Sequence, residues 1–328
     1  MTLDPLLVER FREDLEAVWP FSGTGEKLLL AVSGGPDSLA MLLLAHAAIP
    51  GQVEAATVNH RLRAAAAKEA AYVAGICERL GVRHKVLEVD VAEGNIQAEA
   101  RSARYDALAG WMEEREISTM ATGHQLDDQA ETFLMRLNRG SGLGGLAGIR
   151  KLTGVPGHEY LRLIRPVLGW RRSELQAVVE AAGIEAVTDP SNEDDQFDRV
   201  RMRKALASAD WLDIPAIARS AELLAHADAS LDWVVSREWM ECVSQGDGSI
   251  TYRALKTGLG GDRVIRPALL VRIFRVLGAT LDLSAAGALV GNLESGKAGN
   301  VAGIHAEAID VAGERLWQFR PENPRRTG

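Results

Sequence analysis

The stretch Lys27–Ser38, KLLLAVSGGPDS, decides the fold, because an apolar strand runs directly into a glycine-containing turn and a helix start. Two adjacent glycines, Gly34 and Gly35, let the backbone come close to an anion, and the N-terminus of the following helix attracts negative charge. Pro36 suits the first turn of that helix, where its missing N–H costs little. The stretch therefore predicts an anion-binding strand–turn–helix unit.

The spacing of these glycines differs from that of two common nucleotide-binding loops. A Walker loop requires G-x-x-x-x-G-K-[ST] and a dinucleotide-binding turn requires G-x-G-x-x-G, and Ser33–Ser38 fits neither pattern. An ordinary strand-to-helix turn is the alternative interpretation of this stretch.

On both sides of this unit, strands and helices alternate, which is typical of an α/β protein with a parallel, doubly wound sheet. The predicted strands are Lys27–Val32, Val53–His60, His84–Asp90 and Ile117–Thr122. The predicted helices are Pro36–Ala48, Ala66–Leu80, Asn95–Glu116 and Leu126–Asn138. Ligands of such sheets bind beyond the carboxyl ends of the strands, so we expect the site after Val32, Val58 and Thr122.

The second half of the chain reads mainly as helix. The predicted helices are Ser173–Ala182, Val200–Ala209, Ala216–Ser236, Asp262–Leu277 and Ala285–Leu293, and a short β tail follows at Ala306–Val311 and Arg315–Phe319. We place a boundary near Leu212–Pro215. This predicts a catalytic domain over residues 1–214 and a mainly helical domain with a short β tail over residues 215–328.

Composition excludes several classes of protein. The 328 residues are 47% hydrophobic and 25% charged, as in an ordinary folded protein. Cys77 and Cys242 are the two cysteines and lie far apart, which excludes a disulfide framework and a C-x-x-C metal site. There is no apolar run of about 18 residues, and the first residues read as an amphipathic helix, so we expect a cytoplasmic protein without membrane contact.

The charge is unevenly distributed. Asp plus Glu number 45 against 37 for Lys plus Arg, a net charge of −8, which argues mildly against a general affinity for nucleic acid. The segment Arg136–Arg172 nevertheless contains eight basic residues and one acid, Glu159, and Arg199–Lys204 forms a second basic cluster. Each cluster alone reads as a solvated face, but together they favour a strip that faces a polyanion.

A second motif, GHQLDDQAET, spans Gly123–Thr132 at the end of the fourth predicted strand. On a helix that begins near Leu126, Asp128 and Glu131 share one face, which suits a metal or a cationic group. Helix capping by acids is the alternative; it explains Asp127 but leaves His124 without a role.

The sequence SGGPDS resembles the PP-loop of the N-type ATP pyrophosphatases, which cleave ATP to AMP and pyrophosphate and activate a substrate oxygen by adenylation. The resemblance implies that the ATP phosphates bind at the loop, with Asp37 near Mg²⁺. The loop residues concerned are Ser33, Gly34, Gly35, Pro36, Asp37 and Ser38.

Within that superfamily the chain resembles the tRNA(Ile)-lysidine synthetases. Besides the two motifs, the matches are an arginine–glycine loop at Arg139–Ile149, the helical segment Arg101–Tyr105, and Asp189–Asn192 followed by Phe197 and Arg199. These five ordered motifs cover residues 27–210. Two positions depart from the family pattern: Asn59 stands where the family has Asp, and Val200 stands where Asn is frequent.

The resemblance implies ligation of lysine to C2 of the wobble cytidine in the CAU anticodon of an isoleucine tRNA, with ATP and Mg²⁺ as cofactors. It implies catalytic roles for Asp37, Arg104, His124 and Asp128, and adenosine binding by Asn59 and His60. It further implies that Asp128 and Glu131 bind lysine. The arginines expected to bind tRNA are Arg139, Arg199, Arg201 and Arg203. The oligomeric state stays open, with a homodimer among the alternatives.

Two other functions compete with this one. A PP-loop enzyme that thiolates a tRNA base would need a cysteine pair or cluster ligands, and Cys77 and Cys242 do not form such a pair. A non-enzymatic adenine-nucleotide-binding module of the universal-stress kind would need neither the Asp128 and Glu131 pair nor the arginine–glycine loop.

Overall fold

A computed structural model describes residues 3–20, 25–61, 64–90, 96–187, 196, 198–254, 263–311 and 313–322. The chain forms two compact units, residues 1–225 and 226–328, and the division falls within a long helix, Ile214–Cys242. The boundary expected from the sequence, between residues 214 and 215, coincides with the start of that helix and stays a prediction. In the described residues, no helix has the length and apolar character needed to cross a membrane.

The first unit contains a six-stranded sheet with the strand order β3-β2-β1-β4-β6-β5. Its strands are β1 Leu28–Ala31, β2 Val53–Asn59, β3 Arg83–Glu88, β4 Thr119–Thr122, β5 Leu152–Val155 and β6 His158–Ile164. All neighbours are parallel except β5, which is antiparallel to β6. The four strands predicted from the sequence are thus confirmed, and the β5–β6 hairpin, which was not predicted, lies inside the basic segment Arg136–Arg172.

Helices cover both faces of this sheet, as the sequence predicts. They are α1 Pro5–Glu16, α2 Pro36–Ala48, α3 Ala64–Leu80, α4 Ile96–Glu114, α5 Leu126–Asn138, α6 Leu143–Leu146, α7 Arg172–Ala181 and α8 Asp198–Ser208. Alternate residues of β1 point to opposite faces. Leu28 and Leu30 join one core with α1, α2, α3 and α7, whereas Leu29 joins a second core with α4.

The second unit combines helices with an antiparallel sheet of five strands in the order β7-β8-β11-β10-β9. The strands are β7 Val243–Gly246, β8 Ser249–Tyr252, β9 Gly299–Val301, β10 Ile304–Val311 and β11 Glu314–Pro321. The helices are α9 Ile214–Cys242, which begins in the first unit, α10 Ile265–Val276 and α11 Leu283–Glu294. The two strands of the predicted β tail are β10 and β11, and three further strands extend that tail into a sheet.

One buried hydroxyl joins three parallel strands next to the carboxyl edge of the first sheet. Thr57 on β2 is 5% exposed; its Oγ1 donates to the carbonyl oxygen of Val32, after β1, at 2.8 Å. The same oxygen lies 2.9 Å from Nε2 of His84 on β3. These contacts fix the end of β1, which carries the first motif, relative to β2 and β3.

We predict that Thr57→Val lowers the free energy of unfolding by about 1–3 kcal/mol, because the methyl group keeps the volume but leaves buried polar atoms without their partner. Urea unfolding of the nucleotide-free protein measures the change. Thr132→Val on α5 is the matched control, since the half-buried Thr132 hydroxyl has no hydrogen-bond partner within the described ranges. Equal losses in the two variants would contradict this role of Thr57.

Candidate active site

A cleft of about 830 Å³ opens at the carboxyl ends of β1, β2 and β4, where the sequence places the site. It is lined by residues that follow these strands and by the start of α2. The polar side chains in its wall are Ser33, Asp37, Ser38, Thr57, His60, Glu69, Arg104, Thr122, His124, Asp128, Arg172, Arg199 and Arg203.

The loop between β1 and α2 curls around one serine side chain. Ser33 N donates to Ser38 Oγ at 3.1 Å, and Ser38 Oγ donates to the carbonyl oxygen of Gly35 at 3.0 Å. Pro36 is at the first turn of α2, as expected, and no side chain caps this helix. The N-terminus of α2 is therefore an anion site that faces the cleft.

Two glycines allow the backbone to pack at this edge. Gly34 has a φ of +88°, and a Cβ there would lie 3.1 Å from Val187 Cγ2. A Cβ on Gly123, after β4, would lie 3.0 Å from the backbone nitrogen of Ser38 and from the carbonyl carbon of Asp37. The two motifs predicted from the sequence are therefore in direct contact.

Two carboxylates face the cleft from opposite motifs. Burial, together with the negative charge of Asp128, raises the pKa of Asp37 to about 6, and its Oδ1 is buried without a hydrogen-bond partner in the described chain. Burial also raises the pKa of Asp128, whose Oδ2 accepts from Gln125 N at 3.1 Å in a capping box that starts α5. The pair thus favours the approach of a cation.

Glu131, one turn further along α5, is 1% exposed and is bound by three arginines. Arg172 Nη2 and Arg203 Nε each lie 3.0 Å from its Oε1, and Arg199 Nε lies 2.9 Å from its Oε2. We call Arg172, Arg199 and Arg203 the arginine cluster. Burial raises the pKa of Glu131, but the hydrogen bonds from Arg203 and Arg199 outweigh it, and the net shift is downward.

The arginine cluster also reaches Asp128. Arg199 Nη2 lies 3.0 Å and Arg172 Nη2 lies 3.5 Å from Asp128 Oδ1. The predicted lysine ligands, Asp128 and Glu131, are therefore brought together as expected, but guanidinium groups contact both carboxylates. Arg172 was seen in the sequence only as part of a basic segment.

Asp127 has a separate, structural contact. Its carboxylate accepts from Nε and Nη2 of Arg171 at 3.2 and 3.1 Å and from the backbone N of Arg172 at 2.9 Å. These bonds join the first turn of α5 to the start of α7. The sequence offered helix capping as the alternative role of Asp127. Asp127 does accept a hydrogen bond from a backbone N–H, but that N–H belongs to Arg172 on α7 and not to α5.

His124 is held as a neutral imidazole. Its Nδ1 lies 2.8 Å from Thr122 Oγ1. Burial, and then the positive charges of Arg165, Arg199, Arg104 and Arg101, lower the pKa of His124 to about 3. Such a group can hydrogen-bond to a substrate oxygen, but it is a poor general base near neutral pH.

Of the two residues expected to bind adenosine, His60 lines the cleft, whereas Asn59 does not. His60 lines the cleft with a buried Nδ1 that has no partner in the described residues, and burial and Arg104 lower its pKa. Arg104 also lines the cleft, with its guanidinium carbon 5.0 Å from the ring centroid of Tyr105. Asn59 instead accepts from Arg61 N at 3.0 Å, which stabilises a turn in which Arg61 has a φ of +53°.

Five arginines of the predicted basic strip have three different kinds of surroundings. Arg199 and Arg203 belong to the arginine cluster in the cleft, whereas Arg139 and Arg201 are exposed and both pair with Asp198. Arg136 donates to the carbonyl oxygens of Gly145 and Gly148, at 2.7 and 3.0 Å, and so fixes the arginine–glycine loop around α6. Only part of the predicted basic strip is therefore exposed to solvent.

Sequence reasoning missed one buried cation near this edge. Arg165 follows β6 and is 7% exposed; its Nη1 lies 3.3 Å from Thr153 Oγ1 and also donates to the carbonyl oxygen of Arg150. The position of Arg165 directly after a strand would have been the signal, had β6 been recognised.

We predict that Asp37→Asn stabilises the ligand-free protein at pH 7.5 by up to about 3 kcal/mol, because a shift of about two pKa units has roughly that value. The folded state binds the Asp37 proton more tightly than the unfolded state does. The loss of folding stability caused by ionised Asp37 is therefore absent below about pH 4 and develops as the pH rises to above 6. Urea unfolding of both proteins at pH 4.0 and 7.5 measures the difference.

Asp127→Asn is the control, since it removes a carboxylate that is satisfied by Arg171 and Arg172. We expect this substitution to lower the stability at pH 7.5. If Asp37→Asn lowers it as well, the carboxyl group of Asp37 is not held in a strained, buried environment.

Comparison with known proteins identifies the family of this chain. A family model described as a PP-loop domain matches residues 8–209. The chain is 44% identical over 315 residues to a tRNA(Ile)-lysidine synthase of Novosphingobium aromaticivorans, covering 94% of this chain and 92% of the relative. It is 39% identical over 311 residues to the corresponding synthase of Zymomonas mobilis, covering 94% and 91%.

Among solved structures, a U34-tRNA thiolase from Methanococcus maripaludis, which holds a [4Fe-4S] cluster, shares the fold. The TM-score is 0.57 at 18% identity, and the match covers 67% of this chain and 79% of the thiolase. From the PP-loop match and the identity over nearly its whole length, the chain belongs to the PP-loop family and, within it, to the tRNA(Ile)-lysidine synthases.

Proposed function

We propose that this chain ligates L-lysine to C2 of the wobble cytidine, position 34, in the CAU anticodon of tRNA(Ile), forming lysidine and releasing AMP and pyrophosphate. The observation that carries the proposal is the joint presence, in one cleft, of the anion-binding loop Ser33–Ser38, the carboxylates of Asp37 and Asp128, and the arginine cluster. A phosphate site beside a cation site suits a reaction between ATP and an amine.

ATP would bind with its phosphates along the loop. The N-terminus of α2 and the arginine cluster supply positive charge for the pyrophosphate. His60, which lines the cleft, is the proposed contact of the adenosine, and Asn59 would hold the turn that follows β2. A Mg²⁺ ion would fit beside Asp37, because the buried Oδ1 of Asp37 has no hydrogen-bond partner among the described residues and Asp128 adds a second negative charge. The metal would neutralise phosphate charge when bound.

In the first step, the C2 oxygen of the cytidine attacks the α-phosphorus of ATP. A P–O bond forms to the base, the bond to the pyrophosphate breaks, and the pyrophosphate leaves with its charge stabilised by the arginine cluster. Arg104 and the neutral His124 would contact the α-phosphate, where a fixed positive charge and a hydrogen bond stabilise the transition state. The oxygen on C2 becomes a good leaving group.

In the second step, the ε-amino group of lysine attacks C2 and AMP leaves with the C2 oxygen. Free lysine is an ammonium ion at neutral pH, with a pKa near ~10.4, and must lose a proton before it can attack. We propose that Asp128 and Glu131 bind this cation and that Asp128, which lines the cleft, accepts the proton. His124 is unsuited to that task because its pKa is about 3.

A tRNA thiolase is the alternative, because a thiolase shares the fold. This chain has two cysteines, and Cys77 and Cys242 are both buried. Burial raises the pKa of the Cys77 thiol to about 11, which keeps it protonated. Neither thiol is prepared for sulfur transfer or cluster binding.

The direct test incubates the protein with ATP, Mg²⁺, labelled lysine and a tRNA(Ile) transcript with the CAU anticodon. We expect lysine to enter the tRNA with release of one pyrophosphate per lysine. A transcript with uridine at position 34 is the matched control and should accept none. Pyrophosphate release without lysine incorporation, together with sulfur incorporation from a thiol donor, would favour the thiolase instead.

Salt dependence tests the proposed tRNA contacts of the exposed arginines. If Arg139 and Arg201 meet phosphates, tRNA affinity falls steeply with salt, and Arg139→Gln or Arg201→Gln lowers the log–log slope by roughly one unit per contact. Arg12→Gln is the control, because Arg12 pairs with Glu9 on α1. An unchanged slope in both variants would return Arg139 and Arg201 to an ordinary solvated surface.

A further inference from the structure

The Glu131 carboxylate is already occupied by protein cations. With the arginine cluster around it, Glu131 is 1% exposed and both its oxygens accept from guanidinium groups. An incoming ammonium group would need those same oxygens. In the arrangement described above, lysine can therefore approach Asp128 at the cleft wall, but Glu131 only after a guanidinium group has moved.

The arginine cluster has a second possible partner. Arg172, Arg199 and Arg203 all line the cleft that also contains the loop Ser33–Ser38. Guanidinium groups bind phosphate oxygens with the same fork geometry that they use for carboxylates. A bound triphosphate would compete with Glu131 and Asp128 for these three side chains.

Two of the three arginines of the cluster, Arg199 and Arg203, have partly exposed side chains on one helix. Arg199 and Arg203 lie one turn apart on the same face of α8, and their side chains are 43% and 35% exposed. Val200, between them, is buried and anchors the helix. Rotation of the long arginine side chains is therefore enough to exchange one anion for another.

The contrast with Asp127 supports an exchangeable role. Asp127 is bound by both Nε and Nη2 of Arg171 and by a backbone N–H, a contact that joins α5 to α7 and involves no residue of the cleft wall except Arg172. The first unit thus has a fixed ion pair for the helix junction. Of the two neighbouring carboxylates, Asp128 lines the cleft and Glu131 is buried, and the arginines that bind both of them line the cleft together with the loop Ser33–Ser38.

We propose that the arginine cluster makes lysine binding depend on the nucleotide: without nucleotide the three guanidinium groups neutralise Glu131 and Asp128, and with nucleotide they turn to the phosphates and leave these carboxylates for the ammonium group of lysine. This inference rests on the proposed function, because it takes Glu131 and Asp128 as the lysine ligands. It adds an order to the reaction, in which the nucleotide prepares the lysine site.

Linkage requires the coupling to be reciprocal, so lysine also tightens nucleotide binding by the same factor. Couplings between two ligands in one protein are commonly about 5- to 150-fold. An enzyme with this order would fill the carboxylate site when a nucleotide is present and leave it closed by arginines when none is bound.

Calorimetric titration of lysine, in the absence of tRNA, tests the coupling. The full chain is titrated alone and with Mg²⁺ and a non-hydrolysable ATP analogue. We expect the dissociation constant of lysine to fall at least about fivefold when the analogue is bound. Titration of the analogue with and without lysine should give the same factor.

Two variants separate this exchange from simple attraction between lysine and phosphate. Arg203→Gln removes one cation from Glu131, so we expect tighter lysine binding without nucleotide and a smaller coupling factor. Arg12→Gln on α1 removes a positive charge that pairs with Glu9, and it should keep the wild-type coupling. Direct attraction between the ammonium group and the phosphates would leave the nucleotide-free affinity of Arg203→Gln unchanged, which would overturn the exchange.

The titration of the wild-type protein does not depend on the folding of any variant. The lysine-incorporation assay then separates failure of the arginine exchange from failure of the proposed function. A protein that incorporates lysine into tRNA but binds lysine equally well with and without the analogue contradicts the exchange and leaves the proposed function intact. A protein that neither binds nor incorporates lysine contradicts the proposed function itself.

Discussion

Glu131 carries a negative charge in a position that is almost closed to solvent, and the compensation of this charge organises the site. A buried carboxylate without partners is strongly unfavourable, so the helices that supply its cations are fixed relative to α5. Arg172 begins α7, whereas Arg199 and Arg203 lie on α8, and both helices converge on one side chain. The positive wall of the cleft thus follows from one acid on α5.

The parallel sheet brings these groups to the loop that binds anions. Because β1 and β4 are neighbours, the turn after β1 and the turn after β4 meet at one edge. At Gly123 the backbone approaches Asp37 and Ser38 so closely that a methyl group would not fit. Close contact of the motifs gives Asp37 its raised pKa, because burial and the nearby Asp128 act together.

The sequence predicted the parallel sheet, most of its helices and the edge at which the motifs meet, but not the contacts between the side chains of the cleft. The bounds of α2 and α5 agree with the prediction, since Pro36 and the acids after Gln125 mark helix starts in local sequence. The β5–β6 hairpin was not predicted because β5 has only four residues, with Gly154 among them, and charged residues interrupt the apolar pattern of β6. The partners of Glu131 could not be predicted, since Arg172 and Arg203 lie 41 and 72 residues away from it and meet it only through packing. The low pKa of His124 likewise depends on arginines that are distant in sequence.

In the proposed reaction, this cleft joins lysine to the wobble base through an adenylated intermediate. The most direct measurement is the mass of the nucleoside at position 34 after tRNA(Ile) has reacted with ATP and lysine and has been digested to nucleosides. We expect cytidine at this position to gain one lysine with loss of one water. Unchanged cytidine, or a base in which sulfur replaces oxygen, would contradict it.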